Sequence, residues 1–102
     1  NLYGANFKRT FLQLAHLEGA HLASANLLEA NLSNAYLDGA GLVFARLKGA
    51  DLSHAYLEGA NLWLVSLDNK TKFADAVIDD ETKFSPGVRE KYFPDFKPSA
   101  PE

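Results

Sequence analysis

The chain is predicted to be all-β: a solenoid wound from a five-residue unit and closed by a short C-terminal helix. Three observations predict it. From Leu2, every fifth residue to Leu67 is large and apolar, and thirteen of these fourteen positions are Leu, with Phe7 the exception. Two residues before each, from Ala5 to Val65, stands a small side chain, Ala in eleven of thirteen cases. Period five also fits neither ordinary element. Five residues turn about 500° on an α-helix, which scatters the Leu residues around the axis. On a flat strand an odd period sends them to alternating faces. A Leu can stay inside at every fifth place only if the chain turns a corner once per repeat.

Each repeat is therefore a short extended piece plus a corner. The large residue and the small one two before it point inward, and the other three face water. Alternating Leu and Ala suits a tightly filled interior of large against small. The chain has 102 residues, enough for one domain. A globular domain of this size buries a modest core, but a solenoid coil needs only its neighbours.

The unit, seen in Ala60-Asn61-Leu62 and in Ala50-Asp51-Leu52-Ser53-His54, resembles the pattern of pentapeptide-repeat proteins, and it runs unbroken from residue 1 to about 68. The resemblance implies a right-handed quadrilateral β-helix with four repeats per coil; the period by itself does not supply the number four. Residues twenty apart would then stack at about 4.8 Å, the strand spacing. Similar small repeat proteins abound in cyanobacteria and plastids, some exported to periplasm or thylakoid lumen. Both a cytoplasmic and an exported location stay open.

The first expected unit is the β-helix over residues 1–84, regular over 1–68 and irregular in a last coil over 69–84. The register breaks after Leu67, in the polar run Asp68-Asn69-Lys70-Thr71-Lys72. A weak repeat resumes one residue late, with Phe73 after Thr71 and Ile78 after Ala76, and Thr82 and Phe84 form a last half-unit. The second unit, 85–102, is expected to be a capping helix and a loose tail from Lys97. Ser85 is the expected N-cap, with Pro86 at the first helical position, and the helix should run to about Phe93, before Pro94. Val88, Tyr92, Phe93 and Phe96 are the candidates to cover the open end of the Leu core, because a solenoid otherwise exposes core and sheet edges there. The other end opens at Asn1 in mid-repeat, in a chain without Met. We expect upstream residues, or another molecule, at that end.

Four repeats per coil turn the outward positions into columns. Glu18, Asp38 and Glu58 form an acidic column, with Asp79 as its expected continuation. Beside it run His16, Tyr36 and Tyr56, then the corner glycines Gly19, Gly39 and Gly59. This column is a candidate face for a basic partner. As a solvated face it is also tolerable, since carboxylates about 5 Å apart in water repel by under about 1 kcal/mol. A second column is apolar: Tyr3, Ala23, Val43 and Trp63, with Phe44 and Leu64 alongside. Clustered outward apolar residues mark an interaction surface or something packed above them. A homodimer contact and the chain's own C-terminal segment are the two candidate covers. Asn6, Asn26, Asn31, Asp51 and Asn61 precede the central Leu and are expected to bond local backbone.

His16, His21 and His54 show no metal-ligand spacing, and no catalytic triad or phosphate loop is present in the sequence. We expect no enzyme activity, no metal and no cofactor. A net charge of −3, from 10 basic and 13 acidic residues, disfavours direct nucleic-acid binding. There is no Cys for a disulfide framework, and no apolar run near the ~18 residues of a spanning helix, so membrane insertion is not expected. The leading function class is a structural or protein-interaction module. The alternative is mimicry of duplex DNA toward DNA gyrase, known for some proteins of the resembled family. Residues 1–69 carry six acids and four bases, a net −2, or about one charge per 8 Å of rod against one per ~1.7 Å in DNA, so only the single acidic column supports that alternative.

Overall fold

The computed structural model describes residues 1–99. Parallel bridges join residues twenty apart: Asn6 with Asn26, Phe11 with Asn31, His16 with Tyr36, His21 with Gly41. The same step repeats through Arg46 and Ser66. Twenty residues are four repeats, so the chain lies over itself once every four corners. The result is a β-helical solenoid in which each coil bonds only to its neighbours.

Every repeat closes by the same turn. The Ala N–H donates to the Leu carbonyl three residues back, as in Ala25 to Leu22 at 3.0 Å and Ala45 to Leu42 at 2.8 Å. The third residue of that turn has positive φ in all thirteen regular repeats, from Gly4 at 66° to Leu64 at 60°. Only five of the thirteen are Gly. The others, Leu14, Phe44 and His54 among them, take a left-handed conformation that costs an L-residue about 1–2 kcal/mol. They are held there because the same residue's N–H bonds the next coil, as Ser24 does to Val43 O at 2.8 Å and His54 to Ala74 O at 2.8 Å. The Asx side chains support the corner from its other side. Leu28 N–H donates to Asn26 Oδ1, Ser53 N–H to Asp51 Oδ1 and Trp63 N–H to Asn61 Oδ1, all within 3.1 Å.

The core is the predicted one. Leu22 through Leu62 are fully enclosed at every fifth position, with Ala25 through Ala60 between them. Leu2, Phe7, Leu12 and Leu17 are only partly buried, since the first coil has a neighbour on one side alone.

The register slips twice near the C-terminus. Asp51 pairs with Lys72 and Tyr56 with Val77, twenty-one residues on. The strand pair β1 (Asn61–Leu62) and β2 (Lys83–Phe84) then matches Asn61 to Lys83, twenty-two on. Each extra residue sits in an Asp-x-x-Thr turn: Asp68 to Thr71, and Asp79 to Thr82. In both, the Asp Oδ1 accepts from the N–H groups two and three residues on and from the Thr hydroxyl. The buried Thr Oγ1 accepts the Asp N–H and lies 2.9 Å from the carbonyl of Leu47 or Leu57. Thus Asp79 does not simply extend the acidic column. Its Oδ1 is turned to the backbone and also accepts Gly59 N–H at 3.0 Å.

The helix α1 is shorter than expected, Val88–Tyr92. Ser85 is not its N-cap. Gly87 holds that position at φ 86°, with no side-chain cap, and Val88 N–H closes a turn onto Ser85 O. The Ser85 hydroxyl instead accepts Leu64 N–H at 2.7 Å, a ladder donor that needs a partner more than an exposed five-residue helix does. Tyr92 and Phe93 pack on the last core layer, 5.2 and 5.3 Å from the Phe73 ring, and Phe93 also meets Phe84. Val88 and Phe96 are not part of that cluster; the Phe96 ring lies under the Arg89 guanidinium. Of the tail expected from Lys97, Ser99 N–H is fastened to the Asp80 carboxylate at 3.0 Å, and positions 100–102 lie outside the described residues.

Candidate functional site

With the interior filled by Leu and Ala, chemistry is confined to the outward columns. The turn that faces the Leu inward aims the residues on either side of it outward, and the twenty-residue register stacks them. His16, Tyr36 and Tyr56 form one continuous pile: ring centroids are 4.6 and 4.9 Å apart, with planes within 6° and 3° of parallel. This spacing is the coil spacing, so stacking costs no backbone adjustment. The next position is Val77, which ends the aromatic run.

The acids stand beside that pile, two residues on. Their backbones stack in register: Gly19 N–H bonds Asp38 O at 2.9 Å and Gly39 N–H bonds Glu58 O at 2.8 Å. His16 Nδ1 lies 3.1 Å from Glu18 Oε2. That hydrogen bond, with one from Glu18's own backbone, holds the Glu18 carboxyl below the ordinary range. Asp38 is exposed, whereas Glu58 is half-buried, and its Oε1 is enclosed without a hydrogen-bond partner. The corner glycines keep this edge bare. A Cβ on Gly39 would come within 3.9 Å of Gly19 N, and all three have φ between 65 and 71°.

The apolar column is also assembled. Trp63 and Leu64 are 43% and 44% exposed and Phe44 is 57% exposed, with Val43 partly covered between them. Helix α1 does not lie over Phe44. Among the described residues the C-terminal segment reaches the Trp63 end, where an open groove of about 400 Å³ runs between Trp63, Phe84, Pro86 and Arg89.

His54 is remote from His16 and stands 3.9 Å from Asp75. Among the described residues no group of His, Asp and Glu could hold a metal ion, and no helix is long and apolar enough to cross a membrane. Sequence reasoning set His16, Tyr36 and Tyr56 in one column, twenty residues apart, but did not foresee that their rings stack. It also passed over the two Asp-x-x-Thr turns, whose signal is the repeated spacing itself. A further feature it missed is where the bases fall. All four Lys and Arg of residues 1–69, Lys8, Arg9, Arg46 and Lys48, flank the inward residues Phe7 and Leu47. They occupy one side of the coil, two repeats away from the acidic column.

The family model for pentapeptide repeats matches in 8 copies, over residues 1–39, 25–63 and 45–69. Among solved structures, a pentapeptide-repeat protein from the Arabidopsis thaliana thylakoid lumen is 30% identical with a TM-score of 0.73. The match covers 76% of this chain and 56% of that one, so this chain spans little more than half its length. A pentapeptide-repeat protein from the cyanobacterium Nostoc Pcc 7120 is 30% identical over 84% of this chain and 78% of its own, with a TM-score of 0.42. Another, from the cyanobacterium Cyanothece 51142, is 25% identical over 70% and 65%, with a TM-score of 0.32. No curated protein matches the chain.

Proposed function

The chain belongs to the pentapeptide-repeat family, and from that premise we propose that it is a non-enzymatic module presenting rigid columns of side chains to a protein partner. The observation that carries this is the filled interior. Leu22 to Leu62 and Ala25 to Ala60 are enclosed to within 1%, so the interior holds no cavity for a reacting group, and the groove at Trp63 is open to solvent. The pre-stacked tyrosines beside Asp38 and Glu58 are ordered before any partner arrives, so little side-chain entropy remains to be lost on binding. The partner for this face is basic, and Val43, Phe44, Trp63 and Leu64 form a second, apolar contact.

We take the winding as a right-handed quadrilateral β-helix over residues 1–84, with 85–102 as cap and tail. The four-repeat register supports the four sides, and the strong right-handed preference of parallel crossovers supports the hand. Tyr92 and Phe93 over Phe73 support the cap. The likeness to the Arabidopsis lumenal protein favours an exported compartment, which fractionation of the source cell tests. The duplex-mimic reading has less behind it, because DNA is negative all round whereas this rod carries four bases on one side.

The test is capture of a partner from source-cell extract with the wild type and with two variants, Asp38→Lys/Glu58→Lys and Phe44→Ser/Trp63→Ser. A protein retained by wild type and lost with either variant supports the reading. Equal retention by all three rejects both surfaces.

A further inference from the structure

The charges of the regular coils are partly sorted by side: the four bases share one side, and three of the six acids share another. The acidic column Glu18, Asp38 and Glu58 flanks the fourth repeat of each coil, at Leu17, Leu37 and Leu57. The four bases flank the second repeat, at Phe7 and Leu47; Glu29 and Asp68 flank it at Leu27 and Leu67, so that side is positive by a net two charges. In a coil of four repeats, positions two apart lie on opposite sides of the rod. Each molecule therefore carries a negative side and a positive side, facing away from each other.

The levels agree at the first and third coils; at the second, Asp38 meets the level of Glu29, a carboxylate already bonded to Arg9. Lys8 and Arg9 belong to the first coil and Arg46 and Lys48 to the third. Glu18 and Glu58 belong to those same two coils. Both sets are spaced two coils apart, about 9.6 Å at the strand spacing. Arg46, Lys8 and Lys48 are exposed and no ion pair engages them among the described residues, whereas Arg9 is bonded to Glu29 at 3.0 Å.

Resting on the reading of the acidic column as a partner-facing surface, we propose that the basic partner is a second copy of this chain. The positive side of one rod lies against the negative side of the next, level with it. Because the two patches differ and face opposite ways, the contact does not close on itself. It is heterologous and repeats by translation, giving flat rafts of parallel rods and not a two-fold dimer. The side is small. About four coils at ~4.8 Å, by a width of 23 Å, is on the order of 450 Å² per copy. That is below the roughly 1,200 Å² in total of a stable interface, so the contact is weak, appears at high concentration or on a surface, and is released by salt.

Sedimentation of the full chain at about 1 mM tests this, in about 0.1 M salt and again in about 1 M salt, where the Debye length falls from about 10 Å to about 3 Å. The expected result is mass that grows with concentration at low salt and reverts to monomer at high salt. Two charge-swapped variants follow. Arg46→Glu/Lys48→Glu has two acidic sides, and Asp38→Lys/Glu58→Lys has two basic ones. Each alone should stay monomeric, and an equimolar mixture should associate more strongly than wild type. A wild type that is monomeric in both salts overturns the self-contact, and leaves the basic-partner reading to its own capture test. Association that persists in high salt and is abolished by Phe44→Ser/Trp63→Ser also overturns it, because the apolar column is then the contact.

Discussion

Replacing Thr71 by Val removes one oxygen and keeps the shape of a side chain that is 6% exposed. The hydroxyl accepts one hydrogen bond and shares its one proton between Leu47 O and Asp68 Oδ1. It accepts Asp68 N–H at 3.1 Å, and it lies 2.9 Å from Leu47 O as a donor. Leu47 O keeps a second donor, Ala50 N–H at 3.0 Å, so that loss is one ordinary hydrogen bond, about 0.5–1.5 kcal/mol. Asp68 N–H has no other partner among the described residues, and leaving a part-buried donor unsatisfied costs about 1–3 kcal/mol. The expected destabilisation is therefore about 1.5–4.5 kcal/mol, a large share of a small domain's stability. Thr71→Ser keeps the hydroxyl and loses one methyl, about 1 kcal/mol. Urea denaturation followed by circular dichroism reads both, with an unchanged m-value required, since a shifted m would mean that the last coil detaches separately. Thr82→Val should repeat the effect, because Thr82 makes the same contacts to Asp79 N–H and Leu57 O. A Val variant as stable as wild type, or a Ser variant less stable than the Val variant, would refute the hydrogen-bond account.

The core predicts a gradient along the rod. Leu42→Ala, in a fully enclosed layer, should cost about 2–5 kcal/mol, and Leu12→Ala, in the half-covered first coil, clearly less; chemical denaturation of the two variants compares them. Turn strain predicts opposite signs at equivalent positions. Leu14→Gly relieves a left-handed residue at φ 62° that is 62% exposed, and should be neutral or stabilising by up to about 1 kcal/mol after the unfolded-state cost of Gly. Gly39→Ala at φ 71° should raise no melting temperature and is expected to lower it. Acid should loosen the C-terminal coils. In Asp68, burial pulls the carboxyl upward but is outweighed by donors from Gly49, Lys70 and Thr71, while in Asp79 the Gly59 N–H leads, and both carboxyls are held below their ordinary value. Their contribution is therefore present above about pH 4, the unfolded carboxyl range, and is lost as pH falls through the lowered folded values. Stability measured between pH 7 and 2 should show that loss, and Asp68→Asn/Asp79→Asn should flatten it.

Much of the fold was legible because it is written locally. A Leu at every fifth place and an Ala two before it demand one corner per repeat, and each residue's role repeats with its position. Asn26, Asn31 and Asn61 were readable as turn-bonding side chains for the same reason. Even the first register slip showed, because Phe73 and Ile78 fall one place late. The column members of the candidate surface were readable as well, once twenty residues per coil were granted. What they do there was not. Ser85 looked like a helix cap because Pro86 after it suits a first helical position; its hydroxyl went to Leu64 N–H, twenty-one residues away.

Sequence by itself determined which side chains are inside and where the repeat ends, since inward and outward are decided within five residues by one turn. Tertiary structure alone decided what meets what between coils. It turned Asp68 and Asp79 toward the backbone to replace displaced carbonyls, gave the Ser85 hydroxyl to Leu64 N–H, and set Arg9 against Glu29. Those outcomes depend on the length of a coil and on which ladder donors lose their carbonyl when a residue is inserted, and neither quantity is contained in a single repeat.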